Sequence, residues 1–459
     1  MSSLFGTMSI ATGALAAEQG ALEATTNNVA NVNTPGYSRL EPILVSNDPV
    51  VVGPLTYGTG VSLEKLESVR DPILQRRIEE ETQDQGQLNA FVSAMQQAQV
   101  PFTASSGDIG TAMSQFFSSL DQLSTDPTNL ALRQGVLTAA GNLTSVFNNT
   151  ANNLSQQRSD LDLSVAQDVT QVNVLSAQIA KLNTEISQLQ GVNQDASALM
   201  DQRDVLIGQL SNLIQVSSIQ SDNGLTLTTA NGTPLVVGGQ SFALSTQANS
   251  DGLHDIYSLG TDITSQLSSG ELAGLIQVRD QKIPGILSNL DTLAAGLANA
   301  LNTANQSGFD LNGKAGGNLF VAPPANGQHG AASSMALQVS DPSLIAASSD
   351  GTPASNGNLA NLSAVHDQAV AGNQTPTDYY SNLVFEVGND VSNGSAELSA
   401  SQVILNQLQD QRGAISGVSL DEEAAHMVQY QRAFDAAAQV VSAINNLLYT
   451  VINMGVLTG

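Results

Sequence analysis

The chain of 459 residues contains no cysteine and no tryptophan. Without cysteine there is no disulfide, no thiol nucleophile and no thiolate-ligated metal. Basic residues are scarce: four Lys and ten Arg lie scattered against 41 acidic side chains, for a net charge of −27. Nucleic-acid binding needs clustered cations to displace phosphate counterions, so this balance argues against it, and equally against docking on an anionic membrane surface. The excess acid reads as a solubility device. Charge of either sign is thin, at 12% of residues, and aromatics are 4%. A core of Ala, Leu, Val and Ile suits long helices packed along their lengths; it suits a deep ligand pocket poorly. No apolar run approaches the roughly 18 residues of a membrane-spanning helix, so no membrane insertion is expected. The first basic residue is Arg39. A cleaved secretory signal needs a positive start, and none is expected here.

Proline is absent from residues 1–34, from the stretch between Pro127 and Pro234, and from everything after Pro376. Because proline breaks helix interiors, those are the long-helix regions. By contrast Pro35, Pro42, Pro49, Pro54 and Pro72 crowd together, so residues 37–70 read as short extended pieces. Helices are expected at 3–33, 73–100, within 129–214 with a break at Gly191, from Glu271 with a kink at Pro284, and at 377–412. Near residue 216 the apolar period changes from helical to alternating. Asn223-Gly224 and Asn231-Gly232 then mark tight hairpins. The reading is a mainly α chain with a small inserted β module, 216–265, between helical segments 37–215 and 266–417. Residues 307–375 are rich in loops.

The two ends carry the strongest pattern. Met427, Tyr430, Phe434, Ala437, Val441, Ile444, Leu448 and Val451 repeat at alternating spacings of three and four, a heptad seam. At the other end Met8, Leu15, Leu22 and Val29 fall seven apart. Segments 1–36 and 418–459 are therefore expected to form a terminal coiled-coil domain. Spacing alone fits both a seam packed inside one chain and a seam between copies. Two narrow seams bury little apolar area against the entropy of ordering both ends, so the ends are expected to order against neighbours. The final helix opens with Ser419-Leu420-Asp421-Glu422, a capping box in which Ser419 and Glu422 each satisfy an orphan backbone N–H.

Catalytic and metal patterns are weak. His254, His329, His366 and His426 have no second ligand at a suitable spacing, and no cofactor is expected. Asp310-Leu311-Asn312-Gly313 starts like a calcium loop, but Val321 stands where the bidentate acid belongs, so a plain turn is expected. Asp201, Arg203 and Asp204 read as a structural ion pair between packed helices.

The run from Asn27 through Asn28, Val29, Ala30, Asn31, Val32, Asn33, Thr34, Pro35, Gly36, Tyr37 and Ser38 to Arg39 resembles the N-terminal signature of bacterial flagellar axial proteins. The Tyr-Ser-Arg ending is similar to their hook–filament junction branch. Gly58 to Val61, Leu199 to Asp204, Gly308 to Gly313 and Gly417 to Ala425 are similar to the same family in the same order. The resemblance implies a structural, non-catalytic protein of the bacterial flagellum, with a helical inner domain made of both termini. It implies export through the flagellar type III apparatus and a place outside the cell. The partners it implies are other copies of the chain, the hook protein, hook-associated protein 3, and a cytosolic export chaperone at the C-terminal helix. A hook or distal rod protein, or a secreted coiled-coil adhesin, are the alternatives. The β module is short for the family.

Overall fold

The structure, a computed structural model, describes residues 2–52, 55–103, 107–192, 194–221, 224–324 and 329–456. It is mainly helical, with small open sheets. The chain opens with α1 (Ser2–Ala30) and a ribbon of β1 (Leu40–Ser46), β2 (Val50–Val52), β3 (Leu55–Tyr57) and β4 (Val61–Ser68). Long helices α2 (Pro72–Thr103) and α4 (Leu130–Gly191) flank α3 (Ile109–Thr125), and α5 (Ser197–Leu213) follows. Then come β5 (Ser217–Ser221), β6 (Gly224–Thr228), β7 (Pro234–Val237), β8 (Gln240–Ser241), β9 (Leu244–Ala248), β10 (His254–Ser258) and β11 (Thr261–Asp262). The rest is α6 (Glu271–Gln277), α7 (Ile283–Gln306), α8 (Leu359–Ala364), α9 (Pro376–Ser416) and α10 (Leu420–Val456).

The chain divides into two compact units. Unit 1 is Met1–Gln83, Gln171–Leu244 and Ser401–Gly459; unit 2 is Asp84–Thr170 and Ser245–Ala400. The expected β module does not coincide with either. Its strands form two sheets, β5-β6-β7-β8 in unit 1 and β11-β10-β9 in unit 2. Single polar residues of α4 account for the split. Asn183 donates from Nδ2 to the carbonyls of Leu225 and Gly238, which ties the first sheet to the second half of α4. Asp162 accepts the His254 N–H at 2.7 Å, which ties β10 to the first half. Asn231-Gly232 turns between β6 and β7, with Gly232 at φ +81°. Asn223 lies outside the described residues. A third tight turn, Leu259-Gly260, has positive φ at both positions.

In unit 1, Leu74 and Ile78 of α2 pack with Leu405 and Leu408 of α9 as a dry cluster. Glu79 is buried one turn further along α2, where its Oε1 accepts from Gln75 Nε2 at 3.2 Å. Burial pushes its carboxyl from 4.5 up to about 7. A carboxyl that holds its proton more tightly when folded costs stability as pH rises from 4.5, and the cost is complete above about 7. Glu79→Gln should therefore be more stable than the parent at pH 8, by on the order of 2 kcal/mol, with the gap closing toward pH 4. Urea denaturation at the two pH values measures it.

Unit 2 contains α3, which the sequence reading passed over. Ile109, Ala112, Met113, Phe116, Phe117, Leu120 and Leu123 make its buried face, and Asp108 caps it by accepting the Thr111 N–H. The apolar positions of α7 read from the sequence face inward, Leu290, Leu293 and Leu297 being fully buried. Its start is a π-helical turn, Val278–Lys282. Pro284 has no N–H to give the carbonyl of Asp280, so the ladder opens there. The loop-rich stretch after α7 is ordered by buried amides in place of a ladder. Asn302 Oδ1 accepts from the N–H groups of Leu319 and Phe320, and its Nδ2 donates to the Phe320 carbonyl. Asn358 Nδ2 bridges the carbonyls of Ala304 and Ala346. Asp310 accepts from the N–H groups of Asn312 and Lys314, and Gly313 sits at φ +73°, an ordinary Asx-type turn.

Arg279, in the π-turn, is fully buried. It bonds Asp162 Oδ1 at 2.7 Å, Asp280 Oδ2 at 2.8 Å and the His254 carbonyl at 2.8 Å. His254 Nδ1 lies 2.6 Å from the other oxygen of Asp162. The sequence does not show this pairing, because His254 and Asp162 are 92 positions apart. Among the described residues, no group of three or more His, Cys, Asp or Glu could hold a metal ion. No helix among them is long and apolar enough to cross a membrane.

Candidate assembly interface

The terminal helices α1 and α10 pack on each other, and α1 also lies against β1 and β4. Asn28 meets Glu423, and Glu18 lies close enough to Tyr430 to raise its phenol after burial has done so. Moving back along α1 is thus moving forward along α10, and the pair is antiparallel. The buried face of α1 is small: Ala17, Ala21 and Ala24 are at most 1% exposed. These form the close seam with Asn28, at spacings of four, three and four. The bulky residues read from the sequence, Met8, Leu15, Leu22 and Val29, sit beside that seam and are only half-buried. Gly20 meets the Leu63 side chain, where a Cβ would come within 2.4 Å, and Gly13 faces the Val61 carbonyl. The ribbon therefore supplies α1 with a second surface that a count of seam residues omits.

The eight α10 positions read from spacing differ in burial. Ile444 is buried; Met427, Tyr430, Phe434, Ala437, Val441 and Leu448 are half-buried; Val451 is exposed. Large apolar residues are exposed on α10 as well. Leu447 is 53% exposed and Ile452 62%, with Val440 and Tyr449 also in the open. No charged residue follows Asp435. A lone surface helix ordinarily carries a charged outer face, and α10 beyond Asp435 does not. The ribbon tip is similar: Val50, Val51, Leu55 and Tyr57 are exposed.

The N-terminal motif forms the joint at the base of this helix pair. Asn28, 1% exposed, uses its whole amide. Nδ2 donates to the Leu40 carbonyl at 2.9 Å and to Glu423 Oε1 at 3.1 Å. Oδ1 accepts from the Leu40 N–H at 2.8 Å and the Tyr37 hydroxyl at 2.9 Å. Burial, then the charges of Asp201, Glu423 and Asp195, push the Tyr37 phenol up to about 12, so it stays a donor. Asn31 donates to Asn27, and the Thr34 hydroxyl donates to Asn31 Oδ1, closing the turn that ends α1. Gly36 has φ +81°, and a Cβ there would strike the Val205 side chain; a left-handed, crowded position needs glycine. Asn33, Thr34 and Pro35 are exposed.

Around the joint, Arg70 pairs with Asp201 at 2.7 Å and Asp204 at 2.8 Å. Asp201 also accepts the Ser38 N–H. Arg412 donates to the Gly36 carbonyl at 2.8 Å. The ion pair expected within 201–204 thus takes its cation from Arg70, while Arg203 turns to Asn183 Oδ1. The capping box is half formed. Ser419 Oγ accepts the Glu422 N–H at 3.5 Å, but the Glu422 carboxylate reaches to 3.7 Å from Arg39. Arg39 also holds Glu41 at 2.9 Å. The sequence reading missed Glu423, Arg70 and Arg412. A buried acid one residue past a cap is the one signal that could have found the first.

Residues 95–320 match the family described as flagellar hook-associated protein FlgK helical domain. Residues 8–37 match that described as flagella basal body rod protein, and 411–454 that described as flagellar basal body rod FlgEFG protein C-terminal. Flagellar hook-associated protein 1 of Bacillus subtilis (strain 168) is 30% identical over 512 aligned positions, covering 99% of each chain. The protein of that name from Escherichia coli (strain K12) is 26% identical, covering 96% of this chain and 98% of its own. The alignments run longer than this chain, so these relatives carry stretches with no counterpart here. The solved structure of the flagellar hook junction protein FlgK from Burkholderia pseudomallei matches with a TM-score of 0.68 at 18% identity, over 74% of this chain and 100% of that one. That likeness carries the fold.

Proposed function

The chain belongs to the flagellar hook-associated protein 1 family, and from that premise we propose how it assembles. It is a structural, non-catalytic protein of the extracellular bacterial flagellum, at the hook–filament junction. In this reading segments 1–36 and 418–459 are the assembly domain. Their helices pack side by side with those of other copies, with the hook protein on one side and hook-associated protein 3 on the other. Copies follow a helical lattice, so each contact is heterologous. Before that, the chain leaves the cell through the type III flagellar apparatus without losing its N-terminus. A cytosolic export chaperone covers the C-terminal helix meanwhile.

The observation that carries this is the state of α10. Its seam is half-buried, Val440, Leu447, Tyr449 and Ile452 are exposed on it, and no charged side chain follows Asp435. Such a helix is incomplete in a single chain, and exposed apolar patches of this kind mark interaction sites. Removing residues 441–459 tests it. Electron microscopy should then show hooks without filaments, with filament subunits lost to the medium. Normal filaments on the truncated protein would sink the reading.

A further inference from the structure

A cavity of about 400 Å³ opens in unit 1 where the start of α2, α5, the β5–β6 hairpin and the end of α9 come together. Four of the ten arginines line it: Arg70, Arg76, Arg203 and Arg412. In a chain with so few cations, that concentration asks for an explanation. Two of the four are accounted for. Arg70 is committed to Asp201, Asp204, Ser68 and the Ser197 carbonyl. Arg76 is exposed at the rim, 3.8 Å from Glu80.

The other two make no carboxylate contact closer than 3.9 Å among the described residues. Arg203 is 94% buried, being 6% exposed. Its Nη1 donates to Asn183, its buried Nε has no hydrogen-bond partner, and its nearest carboxylate oxygen, on Asp204, is 3.9 Å away. Arg412 donates only to the Gly36 carbonyl, and among the described residues no carboxylate oxygen lies within 4.0 Å of it. Glu79 is in the same wall but forms no ion pair within that distance among the described residues. A guanidinium cannot shed its proton inside a protein, and a buried donor left unmet costs about 1–3 kcal/mol. Asp71 and Asp204 also line the cavity, with Ser38, Gln75, Ser218, Gln220 and Ser416, and its apolar side chains include Leu74, Met200, Ile207 and Leu225.

The geometry points to a binding site for an aliphatic carboxylate. Its oxygens take the free N–H groups of Arg203 and Arg412, and its apolar body lies against Met200, Ile207 and Leu225. Such a group could be a free acid or an acidic residue flanked by aliphatic ones on another polypeptide. The shared chemistry is the carboxylate on an apolar stem.

The test uses the full chain, with methyl NMR of Met200 as the readout. N-acetylleucine should shift that signal saturably. N-acetylleucinamide, identical but neutral, and acetate, charged but without the stem, should each bind at least about tenfold more weakly. Arg412→Gln should cost N-acetylleucine about tenfold or more, the loss of one charge-assisted hydrogen bond. Arg76→Gln at the rim should leave affinity within about twofold. A capped peptide with one aspartate between leucines separates the sources. Tighter binding than N-acetylleucine names a polypeptide; weaker binding names a free acid; both support the site. Equal binding of acid and amide overturns it, as does unchanged affinity in Arg412→Gln. Should that variant unfold, the acid–amide comparison on the unaltered chain decides alone.

Discussion

Arg279→Ala should destabilise unit 2 by about 3–5 kcal/mol, the largest single-residue effect expected in this protein. The guanidinium is fully buried and bonds two carboxylates and a carbonyl. Its removal leaves the charge of Asp162 in the interior with His254 alone beside it. Burial pushes the Asp162 carboxyl up, but the His254 N–H and ring and then Arg279 outweigh it, and the group ends below 3.8. A depressed carboxyl contributes stability above pH 3.8 that is lost as pH falls through its folded value. Without Arg279 that contribution shrinks. The deficit of the variant should therefore be widest near neutral pH and narrow as pH falls through the carboxylate range. Denaturant melts of parent and variant at pH 7 and pH 3 measure both parts. A deficit under about 1 kcal/mol at pH 7 would mean that the network is not what holds β10 and α4 to the π-turn.

Asn28→Asp is the second. The change keeps shape and replaces one NH2 with a carboxylate oxygen. Nδ2 donates to the Leu40 carbonyl and to Glu423, which is 2% exposed. An aspartate would set two negative oxygens and a carbonyl against each other in a buried place, at a cost of about 3 kcal/mol or more. The loss should be local. Amide exchange across residues 5–30 and 430–450 should accelerate at least about a hundredfold at pH 7.5, while the interior of unit 2 keeps its protection. Lowering the pH should restore part of the protection, because one proton shared between the two acids removes the clash. Equal exchange in parent and Asn28→Asp would show that the joint does not hold the helix pair.

Much of this architecture is legible in the residues, because long helices announce themselves by period and by the absence of proline. On α1 the most buried apolar side chains are small, Ala17, Ala21 and Ala24, which a rule that weighs bulk does not mark. Helix α3 was passed over although Asp108 and its apolar positions would have marked it. The joint was visible as a motif, but not its workings: Asn28 and Glu423 are 395 positions apart. A polar side chain's partner has no period to betray it. The division of the β strands between two units failed for the same reason, resting on Asn183 and Asp162, two polar residues among the many on one long helix.

The alanine face of α1 has a mechanical consequence. Interlocked leucines resist shear, because sliding by a turn drives knobs out of holes. Alanines present a nearly smooth rail. Along most of α1 the register against α10 is therefore weakly held, and it is fixed at one end, where Asn28 grips Glu423. The pair behaves as a rod pinned at its base and free to slip by fractions of a turn toward its tip.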